Sequence, residues 1–206
     1  MANDYTSSTD AFADISEGSY TTSDYPVMSD FVTFASRQID AAFGRVAGFF
    51  YPTTDEVTYY YNGSGRATQY IDEFVSISSV AVAESGGLSS TDYTTWVEGT
   101  DYITYPYNAS ALGKPFTALG LVDYAGTKGA FYSGQKSVKV VGVAGYSASP
   151  PAIVAKATKI QAVQWFMKAK MGYQMVNSGG ETASALNYAL DDNVLTILKP
   201  IFLEFS

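Results

Sequence analysis

The sequence predicts an α+β fold in which a small helical core is interrupted by an inserted antiparallel β-domain. Three observations lead there. Apolar residues recur at spacings of three and four in two stretches that flank the middle of the chain. Between those stretches, runs rich in Val, Ile, Thr and Tyr alternate with glycine-containing turns. Neither helical pattern can bury its apolar face alone, so the two most simply pack on each other and leave the β-rich stretch as an insertion.

Residues 1–29 are rich in Ser, Thr, Asp and Tyr and read as an extended N-terminal arm, with room for a helical turn at the patch Ala11, Phe12, Ala13 and Ile15. Pro26 and the Ser29-Asp30 pair announce a helix start, because such side chains accept bonds from unpaired first-turn amides. A helix is predicted near 30–44, with Phe31, Phe34, Ala35, Ile39, Ala42 and Phe43 on its apolar face and Gly44 placed to end it. Strands are expected at 57–61, 68–71, 74–83, 93–97, 101–105 and 137–143. The stretch 106–131 reads as a long loop or an irregular hairpin.

Pro150-Pro151 opens a second helix near 150–172, with Ile153, Ala157, Ile160, Val163, Met167 and Met171 at helical spacing and Gly172 as its end. A short helix near 192–199 follows Asp191-Asp192, and Pro200 is expected to stop it. The resulting division is an arm (1–29), a helical core (30–48 and 146–199), an inserted β-domain (49–145) and a tail (200–206). No internal repeat is visible.

Composition narrows the chemistry. The 206 residues are 47% hydrophobic but only 16% charged, with 17 Tyr and 12 Phe. Such a surface relies on hydroxyls, amides and aromatic rings rather than ion pairs. With no Cys and no His, the chain has no thiolate zinc site, no cysteine nucleophile and no Ser-His-Asp triad. A carboxylate-pair glycosidase needs neither residue, yet nothing nominates a pair among the 20 acidic residues. No enzyme, cofactor or metal is expected. A net charge of −8 opposes tight wrapping of DNA, while allowing DNA to slide past without sticking. The N-terminus has neither a basic region nor an apolar run, and no stretch approaches a membrane span.

Three stretches carry a resemblance. They are Ala35-Ser36-Arg37-Gln38-Ile39-Asp40 with Gly44-Arg45 and Phe49-Phe50-Tyr51; Trp96, Gly99-Thr100-Asp101-Tyr102 and Tyr105-Pro106; and Val138 through Tyr146 followed by Pro150-Pro151. In this order they resemble the head–tail adaptor (head completion, or connector) proteins of long-tailed bacteriophages, over roughly residues 30–198. The family often has a further helix before residue 30, where this chain is Ser/Thr/Asp-rich. The resemblance implies a homo-oligomeric ring, usually a dodecamer, in the virion neck, assembled in the host cytoplasm. Its partners would be the portal protein on one side and a tail, tail-terminator or stopper protein on the other. Double-stranded DNA would pass through its channel without specific binding. No catalysis, cofactor or membrane belongs to that role.

Each singled-out residue has a structural and a functional reading. Arg37 and Asp40, three apart, either pair along their helix or join Arg45 in linking it to the β-domain or a neighbouring subunit. Ile201, Phe202, Leu203 and Phe205 either fold back on their own helices or dock into a portal or an adjacent subunit; docking is the expectation here. Lys156, Lys159, Lys168 and Lys170 form a solvated helix face or pair with acidic neighbours. Trp96 is a core residue or, in an alternative carbohydrate-binding or adhesin-like module, a stacking platform. Asp191-Asp192 reads as a helix cap, with cation binding as the other option. The glycine runs at 62–65 and 178–180 lack phosphate-loop spacing and read as turns or linkers.

Overall fold

The computed structural model describes residues 3–15, 20–83, 93–122, 128–177 and 189–203. The chain is α+β and forms two compact units, Met1–Tyr51 with Pro150–Ser206, and Pro52–Ser149.

The first unit is helical. A single-turn helix, α1 (Ser8–Phe12), is capped by the Ser7 hydroxyl, which accepts from the Asp10 N–H at 3.0 Å. Helix α2 (Tyr25–Ala42) begins five residues before the expected start: Thr21 and Asp24 cap reciprocally the 3-10 turn leading into it, and Pro26 occupies its first turn. Gly44, at φ +64°, closes α2. Its N–H reaches the Ala41 carbonyl at 3.0 Å and the Arg45 N–H reaches that of Asp40 at 2.9 Å, a Schellman pair.

Helix α4 (Ala152–Asn177) packs on α2 and α1. Met28, Val32 and Ala35 of α2, Ala11 and Phe12 of α1, and Ala162, Trp165 and Phe166 of α4 form one buried cluster. Two expectations for α4 are corrected. It continues past Gly172, and its buried face carries Val154, Ala157, Thr158, Gln161, Ala162, Trp165 and Phe166, while Met171 is exposed. The face turned because Thr158 and Gln161, polar in sequence, are satisfied internally. The Thr158 hydroxyl donates to the Val154 carbonyl, and Gln161 Oε1 accepts the Asp191 N–H at 2.8 Å.

Helix α5 (Asp192–Phe202) buries Val194, Leu198 and Ile201 at spacings of four and three. Pro200 does not stop it. The carbonyl that loses a donor is that of Thr196, on the exposed side, where water can replace the bond.

The second unit is a six-stranded antiparallel sheet: β1 (Val57–Gly63), β2 (Thr68–Ala83), β3 (Tyr93–Trp96), β4 (Tyr102–Tyr105), β5 (Phe116–Leu121) and β6 (Gly134–Ala144). The order is β1-β6-β2-β5-β4, with β3 also on β2. Strand β2 is one 16-residue strand rather than two, bent by register shifts at Tyr70/Phe74, Phe74/Ser76 and Ile77/Ser79. Its first half pairs with β5 and its second half with β6 and β3. Gly142 sits at one such shift, where an added Cβ would lie 2.1 Å from the Ser76 carbonyl oxygen. Strand β5 and the one-turn helix α3 (Ala109–Leu112) fall in the stretch expected to be a long loop or an irregular hairpin, and β5 pairs back on β4. Phe74, Val80, Val82, Trp96, Tyr102, Leu119, Phe131, Val138 and Val140 form the core of this unit.

Candidate functional site

The most constrained polar cluster gathers around the end of α2. The side chain of Asp40 is 2% exposed. The Tyr5 hydroxyl donates to its Oδ1, the Gly48 N–H donates to its Oδ2 at 2.9 Å, and Arg37 Nε stands 3.4 Å from Oδ2. The same Tyr5 oxygen accepts the Phe50 N–H at 3.2 Å. One carboxylate and one phenol thereby take the Gly48 and Phe50 amides, while the Phe49 and Tyr51 amides bond within the loop. Burial holds the Asp40 carboxyl above its ordinary range, outweighing Tyr5, Gly48, Arg37 and Phe49, all of which favour the charged form. Burial, with the neighbouring Asp40, also pushes the Tyr5 phenol up.

Arg37 ties the N-terminal arm to α2. Its Nη2 donates to the Asn3 carbonyl at 2.6 Å, and its guanidinium lies 5.4 Å from the centre of the Tyr5 ring. Thr33 donates to Asp4 at 2.7 Å, and the Tyr5 N–H reaches the Ser36 hydroxyl at 3.2 Å. Arg37 and Asp40 are thus both engaged within the helical unit. Of the arm, Asn3, Asp4 and Tyr5 are fastened to α2, and Phe12 is buried.

The ends of α2 and α5 meet through Phe43 and Phe202, whose rings stack at 3.9 Å with 3° between planes. Ile201 is buried, so two of the four tail residues expected to dock, Ile201 and Phe202, have partners in their own unit. Beside this stack in sequence, Val46 is 72% exposed and Leu203 76% exposed. Arg45 lies over the Phe49 ring at 4.8 Å. Phe205 lies outside the described residues. The 44–50 loop, whose Gly48 and Phe50 amides are held by Asp40 and Tyr5, and the end of α5, which meets Phe43 through Phe202, each carry an exposed aliphatic side chain.

The remaining candidates resolve as structural parts. Lys159 pairs with Asp14 at 2.9 Å and Lys170 with Asp24 at 2.7 Å, so two of the four lysines hold the segment before α2. Trp96 is 2% exposed against Phe131, which rules out a flat stacking role for it. Asp191 caps α5, accepting the Asn193 N–H at 2.9 Å. Among the described residues no group of three acidic side chains could hold a metal. Sequence reasoning missed Tyr5, Gly48 and Val46. The only available signal was a tyrosine isolated among polar residues in the arm.

No protein-family model matches the chain, and no curated protein does. Among solved structures, it is similar to a chain of the neck of a native GTA particle computed with C12 symmetry. That match covers 96% of this chain and 94% of that one, with 12% identity and a TM-score of 0.44.

Proposed function

We propose that the chain is a structural head–tail adaptor subunit. It would form a ring, a dodecamer in this reading, between the portal and the tail or stopper of a phage virion. The observation that carries the reading is where the three resembling stretches lie. The first is the end of α2 and the loop after it. The second spans β3 to β4. The third runs from β6 through the buried Tyr146 to the Pro150-Pro151 start of α4. Each stretch runs out of one element and across the junction to the next, and loops at such junctions are where a subunit can meet its neighbours.

In this reading the contact surface holds Arg45, Val46 and Leu203, with Phe205 two residues on in sequence, while Arg37, Asp40, Ile201 and Phe202 support it within the helical unit. DNA passes without specific binding, because an acidic ring offers the phosphate backbone no net attraction. The test is to mix the full chain with its portal and image the product by negative stain. Rings on the portal are expected. Val46→Asp and Leu203→Asp change exposed positions, so each should fold normally yet lose portal attachment. A wild-type chain that leaves the portal bare overturns the proposal, and variants that still attach remove this surface from it.

A further inference from the structure

Strand β1 is an edge strand. It pairs with β6 over Val57–Tyr61, and among the described residues no other strand lies along it. Exposed edges are usually blunted by lysine, proline, inward charges or a bulge in mid-strand. The run Val57-Thr58-Tyr59-Tyr60-Tyr61-Asn62-Gly63 carries no charge and no proline, and its register shift falls at its very end, between Tyr61 and Gly63. The opposite end of the sheet is treated differently. There β4 is only four residues long, and Glu98 and Gly99 lie against its first residue, with the Gly99 N–H on the Tyr102 carbonyl at 2.7 Å.

Charge is divided between the two ends of β1. Asp55 and Glu56 immediately precede it, both exposed. Past its other end come the exposed Arg66 and Lys136, whose N–H donates to Asn62 Oδ1 at 3.0 Å and whose Nζ lies 6.0 Å from the Tyr60 ring centre. A second β1 laid alongside in parallel would set acid against acid and base against base. Laid antiparallel about Tyr60, it sets Glu56 level with Ser64 of the other copy, so the acidic end meets the basic end twice. The outward N–H and C=O groups of each strand then find about six bonds across the seam. Tyr60, 48% exposed, faces its own counterpart.

We propose that β1 is a self-recognition edge, through which two copies of the unassembled chain pair as an antiparallel, two-fold dimer. Such a contact is self-complementary and closes at two copies, so it differs from the head-to-tail contacts a ring requires. It goes beyond the adaptor reading and does not depend on it.

The experiment is sedimentation equilibrium of the full chain, free of portal, over a range of concentrations. The wild type should approach twice the chain mass. Tyr60→Lys places two like charges face to face across the seam and should be monomeric, with its sheet retained by far-UV circular dichroism even though the ring beside Lys136 is lost. Arg66→Glu removes two symmetry-related exposed pairs and should weaken the dimer about tenfold. Adding Glu56→Lys should restore it, which a merely perturbed fold would not do. A wild type monomeric throughout overturns the proposal. So does an oligomer that Tyr60→Lys leaves intact, or an Arg66→Glu defect that Glu56→Lys fails to rescue. Portal attachment is read separately, through Val46 and Leu203, so the two readings fail independently.

Discussion

Replacing Tyr5 with Phe removes one oxygen from the most crowded polar position in the helical unit. That oxygen donates to Asp40 and accepts from Phe50, so the change breaks a hydrogen bond to a charged group and leaves a buried N–H unpaired. Bonds to charged groups contribute about 1.5–3 kcal/mol, and an unsatisfied buried amide costs about 1–3 kcal/mol. Because the two share one atom they do not add fully, and a loss of about 3 kcal/mol is expected at neutral pH. The size should depend on pH. Asp40 has a folded pKa above its unfolded value, so its contribution is fully present below the ordinary carboxylate range and is lost as pH rises through the folded pKa. The Tyr5 hydrogen bond lowers that folded pKa. Without it the pKa climbs further, and the variant loses more stability over the same rise. The gap between the proteins should therefore fall in acid to the pH-independent cost of the unpaired Phe50 N–H and widen toward neutrality. Urea unfolding at several pH values measures it, with Trp165 fluorescence as the probe and Trp96→Phe in both proteins, so that the signal reports the helical unit alone. A gap that stays constant with pH would refute the assignment of Asp40 as the titrating partner.

Two further outcomes follow from packing. Phe202→Ala uncovers the face of Phe43 and should destabilise the helical unit by about 2 kcal/mol, below the 3–5 typical of a fully buried Phe because Phe202 is half-buried; thermal unfolding reads this, and an unchanged transition would return the residue to an external docking role. Gly142→Ala drives a methyl into the Ser76 carbonyl at 2.1 Å, and since backbone cannot rotate away, about 1–3 kcal/mol should be lost from the sheet unit, read through Trp96.

What the sequence disclosed, and what it hid, divides along physical lines. Local rules worked where the deciding atoms are neighbours in the chain. Gly44 closes α2 because only a left-handed residue suits that position, and Asp191 caps α5 with its own carboxylate. Periodicity failed on α4, where satisfied polar residues took the buried face and moved the apolar stripe. It failed again at Pro200, which α5 accommodates with the deprived Thr196 carbonyl on its exposed side. Strand β5, Phe116-Thr117-Ala118-Leu119-Gly120-Leu121, was hidden for another reason. Gly120 weakens its strand signal, yet an added Cβ there would meet the Tyr105 ring at 2.4 Å, so the glycine is a requirement of close packing rather than of a turn. The Asp40 cluster was half legible. The spacing of Arg37 and Asp40 suggested a pair, but Tyr5 lies 35 residues away from Asp40 in sequence and no local pattern could join them.

The cost and the use of Asp40 belong together. Burial disfavours the charged form of Asp40 by more than its four partners favour it, which is why its pKa stands high. An apolar residue of similar size could fill the space, yet it could not accept the Gly48 N–H or orient the Tyr5 hydroxyl toward Asp40 and Phe50. The arm would keep its bonds through Asn3, Asp4 and the Tyr5 N–H, but the Gly48 N–H would lose its acceptor and the Tyr5 hydroxyl its orientation. With the carboxylate present, the arm, the last turn of α2 and the 44–50 loop share one hydrogen-bonded centre, and Val46 and Arg45 are displayed in a single arrangement. A subunit that meets a partner through a few exposed side chains gains more from that preorganisation than from additional stability, because ordering the loop at the moment of contact would be subtracted from the affinity.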